Sequence, residues 1–279
     1  MTIFPCAKVN LGLNVVSKRP DGYHNLETVF YPIPLCDALE VHRMDTDFPC
    51  DVNCDLKVTG MEIEGLEADN LVVRAYHLLA KDFELPRIHT HLYKQIPSQA
   101  GLGGGSSDAA YMIRLLDERF HINMGNSMME EYASRLGADC AFFITAEPAY
   151  AQGIGNELEP VSASDFSLEG MYMALMKPDV AVSTREAYSN ITPHKPSKCC
   201  RDIVLQPLET WREELVNDFE QPIFAIHPEI GEIKEELYRK GAIYAQMTGS
   251  GSCVYGIFDK CPTFSEDDFP GCYKNVLQL

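Results

Sequence analysis

Basic residues are scarce in this sequence, which has 23 lysines and arginines against 41 aspartates and glutamates and a formal net charge of −18. Nucleic acid and anionic membrane surfaces bind basic patches, so this balance argues against both as partners. No apolar run reaches the length of a membrane span, and the N-terminus lacks the basic and apolar regions of a signal peptide. The 279 residues, 46% hydrophobic and 23% charged, are typical of a globular enzyme. The sequence therefore predicts a cytoplasmic protein.

A regular cysteine pattern is also missing, although the chain has ten cysteines. Their spacing is irregular, and no C-x-x-C motif occurs. Cys50 and Cys54 have the spacing of half a zinc site, but no second pair completes it. We therefore expect scattered reduced thiols, as in a cytosolic protein, and no protein-bound structural metal.

Glycine is concentrated in one stretch, residues 96–110, which reads I-P-S-Q-A-G-L-G-G-G-S-S-D-A-A. An alternating segment precedes this stretch and apolar residues at helical spacing follow it, which predicts a loop between a strand and a helix. Glycines let the backbone approach a ligand, and the first turn and macrodipole of a helix favour an anion. The pattern predicts a phosphate site. The alternative is a glycine-rich turn in which Ser106 or Ser107 caps the helix.

Familiar phosphate loops do not fit this stretch. A Walker loop has a lysine after the last glycine, where Ser106 stands here. A Rossmann fingerprint has an acidic residue at the end of a second strand, but Asp117 and Glu118 fall inside the predicted helix. A protein kinase carries H-R-D and D-F-G tripeptides, and neither occurs. With these three classes excluded, the loop is best interpreted as that of a small-molecule kinase with another architecture.

The order of predicted elements favours an α+β fold in two layers rather than repeating βαβ units. Residues 7–16 alternate as a half-buried strand, with Lys8, Asn10 and Asn14 on its polar face. The remaining pattern predicts strands at 38–44, 56–59, 172–176, 242–247 and 253–258. It predicts helices after Asp69, over 127–136 behind an S-M-M-E capping box, over 208–219, over 230–241, and once more before a last strand.

Three motifs resemble those of the GHMP kinase superfamily, which includes galactokinase, homoserine kinase and mevalonate kinase. P-C-A-K-V-N-L at residues 5–11 is similar to the first motif, the glycine loop to the second, and T-G-S-G at 248–251 to the third. The segments R-P-D-G-Y-H-N-L-E-T at 19–28, D-N-L-V at 69–72 and L-G-A-D at 136–139 resemble one member, a kinase of a cytidine diphosphate-linked sugar alcohol. The resemblance covers nearly the whole chain.

The resemblance implies a two-domain GHMP kinase fold. The N-terminal domain, residues 1–152, is then an ATP-binding α+β domain. The C-terminal domain, residues 153–279, is a ferredoxin-like α+β domain that binds substrate. The implied reaction is phosphoryl transfer from ATP, with Mg²⁺, to a hydroxyl of a small-molecule substrate on the way to isoprenoid precursors.

The same resemblance implies the catalytic residues. Asp139 is the general base for the substrate hydroxyl, and Lys8 stands beside it and holds the carboxylate charged. Taken alone, a helix-end aspartate and a strand lysine are as readily ordinary surface residues. The residues implied at ATP are Asn70, Leu71, Lys94, Pro97, Ser98, Gln99, Ala100, Gly101, Leu102, Gly103, Gly104, Gly105, Ser106 and Ser107.

The substrate site is implied by resemblance as well. Tyr23 and His24 match residues that hold cytosine, and Tyr188 falls where the family has a second aromatic ring, so that two rings clamp the pyrimidine. The alternative for Tyr188 is a packed helix residue. The full implied set, with Thr184 at the diphosphate and Asn10 at the sugar alcohol, is Asn10, Tyr23, His24, Thr184, Tyr188 and Gly249.

The sequence also departs from the family pattern. Gln99 stands where the family usually has a glycine, so the loop entrance is strained or shifted if that position needs a positive φ. Cys140-Ala141 replaces the more usual Val-Pro after Asp139. Two rival functions remain: a homoserine or mevalonate type kinase, against which Tyr23-His24 argues, and a non-catalytic nucleotide-binding relative, against which Lys8 and Asp139 argue. A monomer and a homodimer are both compatible with the sequence.

Overall fold

The computed structural model describes residues 1–45, 47–49, 51–63, 65–162 and 164–279. The chain forms two compact units that alternate along the sequence. Unit 1 comprises Met1–Ala7, Leu35–Ser98 and Gly103–Ala146, and unit 2 comprises Lys8–Pro34, Gln99–Leu102 and Glu147–Leu279. The predicted boundary between residues 152 and 153 separates ATP binding from substrate binding, and it stays a prediction.

Unit 1 is built on a four-stranded sheet. Its strands, numbered in chain order over both units, are β1 (Thr2–Ile3), β4 (Ala38–Arg43), β5 (Cys54–Gly60) and β6 (Ile88–Lys94). They lie in the order β1-β4-β6-β5, and β6 pairs antiparallel with β4 and parallel with β5. Alternate residues of β6 are buried, so one face of this strand meets the core. The strands predicted at 38–44 and 56–59 are confirmed.

The helices of unit 1 are α1 (Leu71–Leu79), α2 (Gly104–Phe120), α3 (Asn126–Ser134) and α4 (Phe142–Thr145). Helix α1 is capped by Asn70, whose side chain accepts from the Val72 N–H at 2.9 Å, and not by Asp69 as predicted. The capping box predicted at Ser127 is wrong. Helix α3 already begins at Asn126, and its N-cap is Gly125.

Unit 2 contains two sheets. The first, with strand order β2-β3-β7-β8, consists of β2 (Cys6–Lys18), β3 (His24–Cys36), β7 (Ala149–Gln152) and β8 (Glu157–Pro160); the first two residues of β2 and the last two of β3 belong to unit 1. The predicted strand at 7–16 is confirmed. Its polar residues Lys8, Asn10 and Asn14 are buried, at 2–3% exposure, so this face of β2 does not meet solvent.

The second sheet of unit 2 is antiparallel throughout, with strands β9 (Tyr172–Lys177), β10 (Tyr244–Met247), β11 (Val254–Phe258) and β12 (Tyr273–Gln278). Its order is β10-β11-β9-β12. Read across the sheet from β12, the four strands are the fourth, first, third and second of this sheet in chain order. This 4-1-3-2 order is the ferredoxin-like order that the resemblance implies. The helices of this unit are α5 (Thr184–Ser189), α6 (Cys200–Val204), α7 (Trp211–Glu214), α8 (Glu220–Ile226) and α9 (Pro228–Arg239).

Two helix predictions in unit 2 are wrong. The segment 208–219 is not one helix, because the Leu215 carbonyl accepts bonds from the Tyr244 hydroxyl and the Gln246 side chain instead of continuing α7. Residues 259–272, all of them described, contain no helix before β12. There the rings of Phe264 and Phe269 pack edge to face, 5.4 Å apart, beside the core of the sheet. The last strand is confirmed.

Within the described part of the chain, every helix is too short or too polar to cross a membrane.

Candidate active site

Two of the sequence motifs meet inside unit 2, where residues 99–102 of the glycine loop pack on the T-G-S-G turn. A Cβ atom on Gly101, whose φ is 71°, would lie 2.0 Å from the Thr248 carbonyl oxygen, so only glycine fits. The Thr248 hydroxyl donates to the Gly101 carbonyl at 3.2 Å. The Cys253 N–H donates to the Ala100 carbonyl at 3.3 Å. The turn therefore fixes the path of the loop backbone.

The entrance of the loop is strained, which is one of the two outcomes expected from the missing family glycine. Gln99 has a φ of 50°, in the left-handed region that disfavours a residue with a Cβ. Its carbonyl accepts from the Ser252 N–H at 3.3 Å, so the same turn stabilises this conformation.

The remainder of the loop forms the start of α2 in unit 1. Gly103, with a φ of 72°, is the N-cap, and no side chain of a described residue caps the helix. Ser106 and Ser107 lie inside the helix, so the alternative in which one of them is the cap is wrong. The N–H groups of the first turn and the dipole of a 17-residue helix thus remain for an anion.

The two serines differ in their access to a ligand. Ser107 is completely buried, whereas Ser106 is half-buried. Ser106 bonds to the Cys140 thiol, whose pKa burial raises to about 11, so the thiol is neutral. Cys140 follows Asp139, which is half-buried in the turn between α3 and α4. Within unit 1 the structure therefore places the predicted base next to the start of α2.

A buried ion-pair cluster holds β6 to α2. The Lys94 ammonium donates to Asp37 and, at 2.7 Å, to Asp108, and all three side chains are at most 4% exposed. Burial alone would lower the pKa of Lys94, but the charges of Asp108 and Asp37 outweigh it and raise this pKa. Burial raises the pKa of Asp108 to about 7 against the opposing charge of Lys94.

Asp37 also organises the backbone that leads into the loop. One of its carboxylate oxygens accepts from the Gln95 N–H at 2.6 Å and from the Ile96 N–H at 2.9 Å. Sequence reasoning missed Asp37 and Asp108. Asp37 follows β3, far from the loop in sequence, and no local pattern marks it.

Within unit 1, Lys94 and Leu71, both predicted at ATP, lie near the first turn of α2. A Cβ on Gly104 would lie 2.9 Å from Ile96 and 3.4 Å from the Lys94 ammonium, and one on Gly105 would lie 3.9 Å from Leu71. Asn70 is the residue before Leu71 and caps α1. Adenosine contacts of these residues stay predictions.

Lys8 lies in β2, and its ammonium contacts two residues of unit 2. Its Nζ donates to the Asn10 side-chain oxygen at 2.5 Å and lies 4.9 Å from the centre of the Phe30 ring. The Lys8 N–H donates to the Leu102 carbonyl at 3.0 Å, so the first motif is bonded directly to the second. Asn10 was predicted at the sugar alcohol, and its oxygen is occupied by Lys8 here.

The predicted cytosine site places His24 and Tyr188 together. Their rings stack with centroids 4.8 Å apart, and Tyr188 meets Phe219 edge to face at 4.8 Å. Burial lowers the pKa of His24, and the charge of Lys18 adds to this. Tyr23 is 63% exposed, and Thr184 is the first residue of α5. The clamp predicted from Tyr23 and Tyr188 stays a prediction, and the structure adds His24 as the ring stacked on Tyr188.

A cavity of about 530 Å³ lies within unit 2 beside this segment. Its lining includes Asn25, Leu26 and Glu27, which directly follow His24, as well as Gly153 and Lys195. Sequence reasoning missed the cavity because residues 195–199 carry no motif.

The third motif, the T-G-S-G turn, is fixed by hydrogen bonds from Asn217, a residue that the sequence analysis did not identify. The Asn217 side chain donates to the carbonyls of Met247 and Gly249 at 2.7 and 2.9 Å. Gly249, with a φ of 55°, would place a Cβ 3.3 Å from Gly101. Asn217 thus fixes the turn on which the glycine loop packs.

No group of three or more histidine, cysteine or acidic side chains in the described residues is arranged to hold a metal ion. Nine cysteines are free thiols. The tenth, Cys50, lies outside the described residues, so the half zinc site considered for Cys50 and Cys54 stays untested.

Two family models match the chain. The model of the GHMP kinases N terminal domain matches residues 70–147, and the model of the GHMP kinases C terminal region matches residues 201–263. Mevalonate kinase from Methanococcus jannaschii has a similar structure, with a TM-score of 0.70 over 100% of this chain and 98% of that one, at 13% identity. This likeness concerns the fold alone. The fold and the loop are those of a GHMP kinase.

Closer relatives narrow the class. The chain is 54% identical over 280 residues to 4-diphosphocytidyl-2-C-methyl-D-erythritol kinase of Bacteroides thetaiotaomicron, covering 99% of this chain and 100% of that one. A crystal structure of 4-(cytidine 5'-diphospho)-2C-methyl-D-erythritol kinase has a TM-score of 0.78 at 28% identity and covers 100% and 99% of the two chains. The chain belongs to the 4-diphosphocytidyl-2-C-methyl-D-erythritol kinase family of GHMP kinases.

Proposed function

We propose that this kinase transfers the γ-phosphoryl group of ATP to the 2-hydroxyl of 4-diphosphocytidyl-2-C-methyl-D-erythritol, giving the 2-phosphate and ADP on the non-mevalonate route to isoprenoid precursors. The observation that carries the proposal is the 54% identity, over the whole chain, to a kinase with that printed name. Kinases of homoserine or mevalonate are not favoured, because the structural likeness to mevalonate kinase comes with only 13% identity.

The start of α2 is the proposed phosphate site. Its uncapped first turn and the glycine backbone from Gly101 to Gly105 supply N–H groups where a side chain would block the approach. Mg²⁺ bound with ATP would neutralise phosphate charge. We assign the half-buried Ser106 hydroxyl, rather than that of the buried Ser107, as the group that reaches a phosphate or this Mg²⁺. Asn70, Leu71 and Lys94 would line the adenosine side.

The chemical step is assigned to Asp139 and Lys8. The substrate 2-hydroxyl gives its proton to the Asp139 carboxylate as its oxygen bonds to the γ-phosphorus, and ADP leaves with the electrons of the broken P–O bond. Lys8 would stabilise negative charge on the attacking oxygen. The support for Lys8 is that its side chain is buried and its ammonium donates to Asn10, which fixes the position of the charge.

The cytosine is assigned to unit 2. We propose that the base stacks on Tyr23 or Tyr188 while His24 hydrogen-bonds its edge, supported by the His24–Tyr188 stack and the neighbouring cavity. Thr184 and Gly249 would contact the diphosphate and sugar alcohol. We further propose a cytoplasmic location, supported by the nine free thiols, and a chain that acts as a monomer or homodimer.

The test measures ADP release with Mg·ATP and the diphosphocytidyl alcohol, with homoserine and mevalonate as alternative acceptors. We expect activity with the first acceptor only, and a loss of about 100-fold or more in Asp139→Ala. The matched control is Asp259→Ala, an exposed aspartate after β11, which should keep wild-type activity. ATP binding without turnover of the diphosphocytidyl alcohol would overturn the assignment of this alcohol as the substrate. Equal activity in wild type and Asp139→Ala would remove Asp139 from its role.

A further inference from the structure

A chain of buried hydrogen bonds runs through unit 2 from the Lys8 ammonium to a backbone carbonyl. Lys8 Nζ donates to Asn10 Oδ1 at 2.5 Å, and Asn10 Nδ2 donates to Thr28 Oγ1 at 3.1 Å. The Thr28 hydroxyl donates in turn to the Gly12 carbonyl at 2.5 Å. Lys8, Asn10 and Thr28 are at most 3% exposed. Asn10 and Gly12 belong to β2, whereas Thr28 belongs to β3.

This chain has one consistent direction. A threonine hydroxyl has a single hydrogen, and the short bond to the Gly12 carbonyl uses it. Thr28 Oγ1 can therefore only accept from Asn10, which requires the NH₂ group of the amide to face Thr28. The amide oxygen then necessarily faces Lys8. Thr28 thus decides which end of the Asn10 amide the ammonium meets.

The opposite amide orientation is unfavourable at both ends. It would direct the NH₂ group of Asn10 at the Lys8 ammonium, which has donors only. It would also place the amide oxygen against a Thr28 oxygen whose hydrogen is already engaged. An unsatisfied buried polar group costs about 1–3 kcal/mol, so the observed orientation is strongly preferred.

Thr248 supports the same amide from the other side. Its hydroxyl accepts from the Asn10 N–H at 3.0 Å and lies 3.3 Å from Asn10 Oδ1. With Lys8 at the oxygen, Thr28 at the nitrogen and Thr248 at the backbone N–H, protein groups fix the Asn10 side chain at both ends. This arrangement suits a residue that orients Lys8.

We propose that Thr28 is a positioning residue, which fixes the Asn10 amide and thereby holds the Lys8 ammonium where phosphoryl transfer needs it. The proposal rests on the role of Lys8 in the proposed function. Thr28 acts through Asn10 and Lys8, without touching ATP or substrate itself.

The test compares Thr28→Val, which keeps the shape but removes the hydroxyl, with Thr28→Ser, which keeps the hydroxyl. Thr90→Val is the matched control, since Thr90 is also a buried strand threonine, and its hydroxyl lies 3.6 Å from the Cys54 sulfur, a weak partner. We expect kcat to fall about 10- to 100-fold in Thr28→Val with an unchanged KM for ATP, because small misplacements of catalytic groups have effects of this size. Thr28→Ser should restore most of kcat, and Thr90→Val should keep it.

A second readout needs no substrate. The ¹H–¹⁵N signal of the Lys8 ammonium, assigned by its disappearance in Lys8→Met, should shift or broaden in Thr28→Val and stay in place in Thr90→Val. An unchanged ammonium signal in Thr28→Val overturns the proposal, whether or not the wild type turns over. A Thr28→Ser variant as impaired as Thr28→Val also overturns it, since packing of the methyl group would then be the cause. A wild type without ADP release counts against the proposed function alone.

Discussion

His24 is the residue at which the structure makes the sharpest prediction about pH. Its pKa is lowered by burial and by the charge of Lys18, so the imidazole stacked on Tyr188 is neutral at pH 7. The neutral ring has one donor and one acceptor nitrogen for the edge of a base. Because the folded pKa lies below the unfolded value, acid protonates the unfolded chain first, and the stability that neutral His24 contributes is lost as the pH falls through the folded pKa.

We therefore expect the KM for the diphosphocytidyl substrate to rise as the pH is lowered from 7 through the pKa of His24, which burial and the charge of Lys18 hold below its usual 6.5. The measurement is KM against pH, with NMR titration of the His24 ring in the free enzyme. In His24→Gln the substrate KM should be higher and nearly independent of pH over this range. A ring that titrates above 6.5 would contradict the prediction.

The role of a residue could be predicted from the sequence where the residue stands in a motif. It could not be predicted where the role depends on a contact in the folded chain. Lys8, Asp139 and the glycines stand in recognisable motifs. Thr28 stands in one as well, but its hydrogen bond to Asn10 depends on the pairing of β2 with β3. Asp37 stands in no motif, and only the fold brings it to Lys94.

At the scale of elements, the junction of β6 and α2 depends on two aspartates that differ in their bonding. Asp37 accepts from Lys94 and from two backbone N–H groups. Asp108 accepts from Lys94 with one oxygen, and its other oxygen has no hydrogen-bond partner among the described residues.

The two aspartates should therefore respond differently to the same isosteric change. Asp37→Asn places an NH₂ group against either the ammonium or the backbone N–H groups, and we expect it to lower the free energy of unfolding by about 3 kcal/mol. Asp108→Asn can place its NH₂ group at the unpartnered position and still accept from Lys94, so we expect a change within about 1 kcal/mol. Urea unfolding of both variants measures this. Equal destabilisation would show that the bonding difference is irrelevant.

Elements were predicted well where hydrophobic periodicity was strong and capping was local. The strand over 7–16 and helices α2 and α9 lie as expected. The helix expected over 208–219 failed because Leu215 offers its carbonyl to Tyr244 and Gln246, which lie about 30 residues further along the chain. The periodicity of apolar residues in a segment does not reveal that distant side chains will bind one of its carbonyl groups.

At the scale of the whole molecule, the net charge of −18 opposes substrates that are themselves anionic. Screening weakens this repulsion, with a Debye length of about 30 Å at 0.01 M salt and about 8 Å at 0.15 M. We therefore expect kcat/KM for ATP to increase about two- to threefold between these salt concentrations, with kcat unchanged.

Steady-state kinetics in potassium chloride at fixed free Mg²⁺ measure this effect. A steep fall of kcat/KM with salt would mean that local cations attract the nucleotide more strongly than the total charge repels it.

The sequence by itself determined the class of fold, the phosphate loop and the family, because each depends on residue types at short, fixed spacings. Only the tertiary structure decided that the two units alternate along the chain, that Asp37 and Asp108 share Lys94, that Asn217 holds the third motif and that Thr28 orients Asn10 toward Lys8. These features are contacts between residues distant in sequence. Their energies depend on burial and hydrogen-bond direction, which no local spacing encodes.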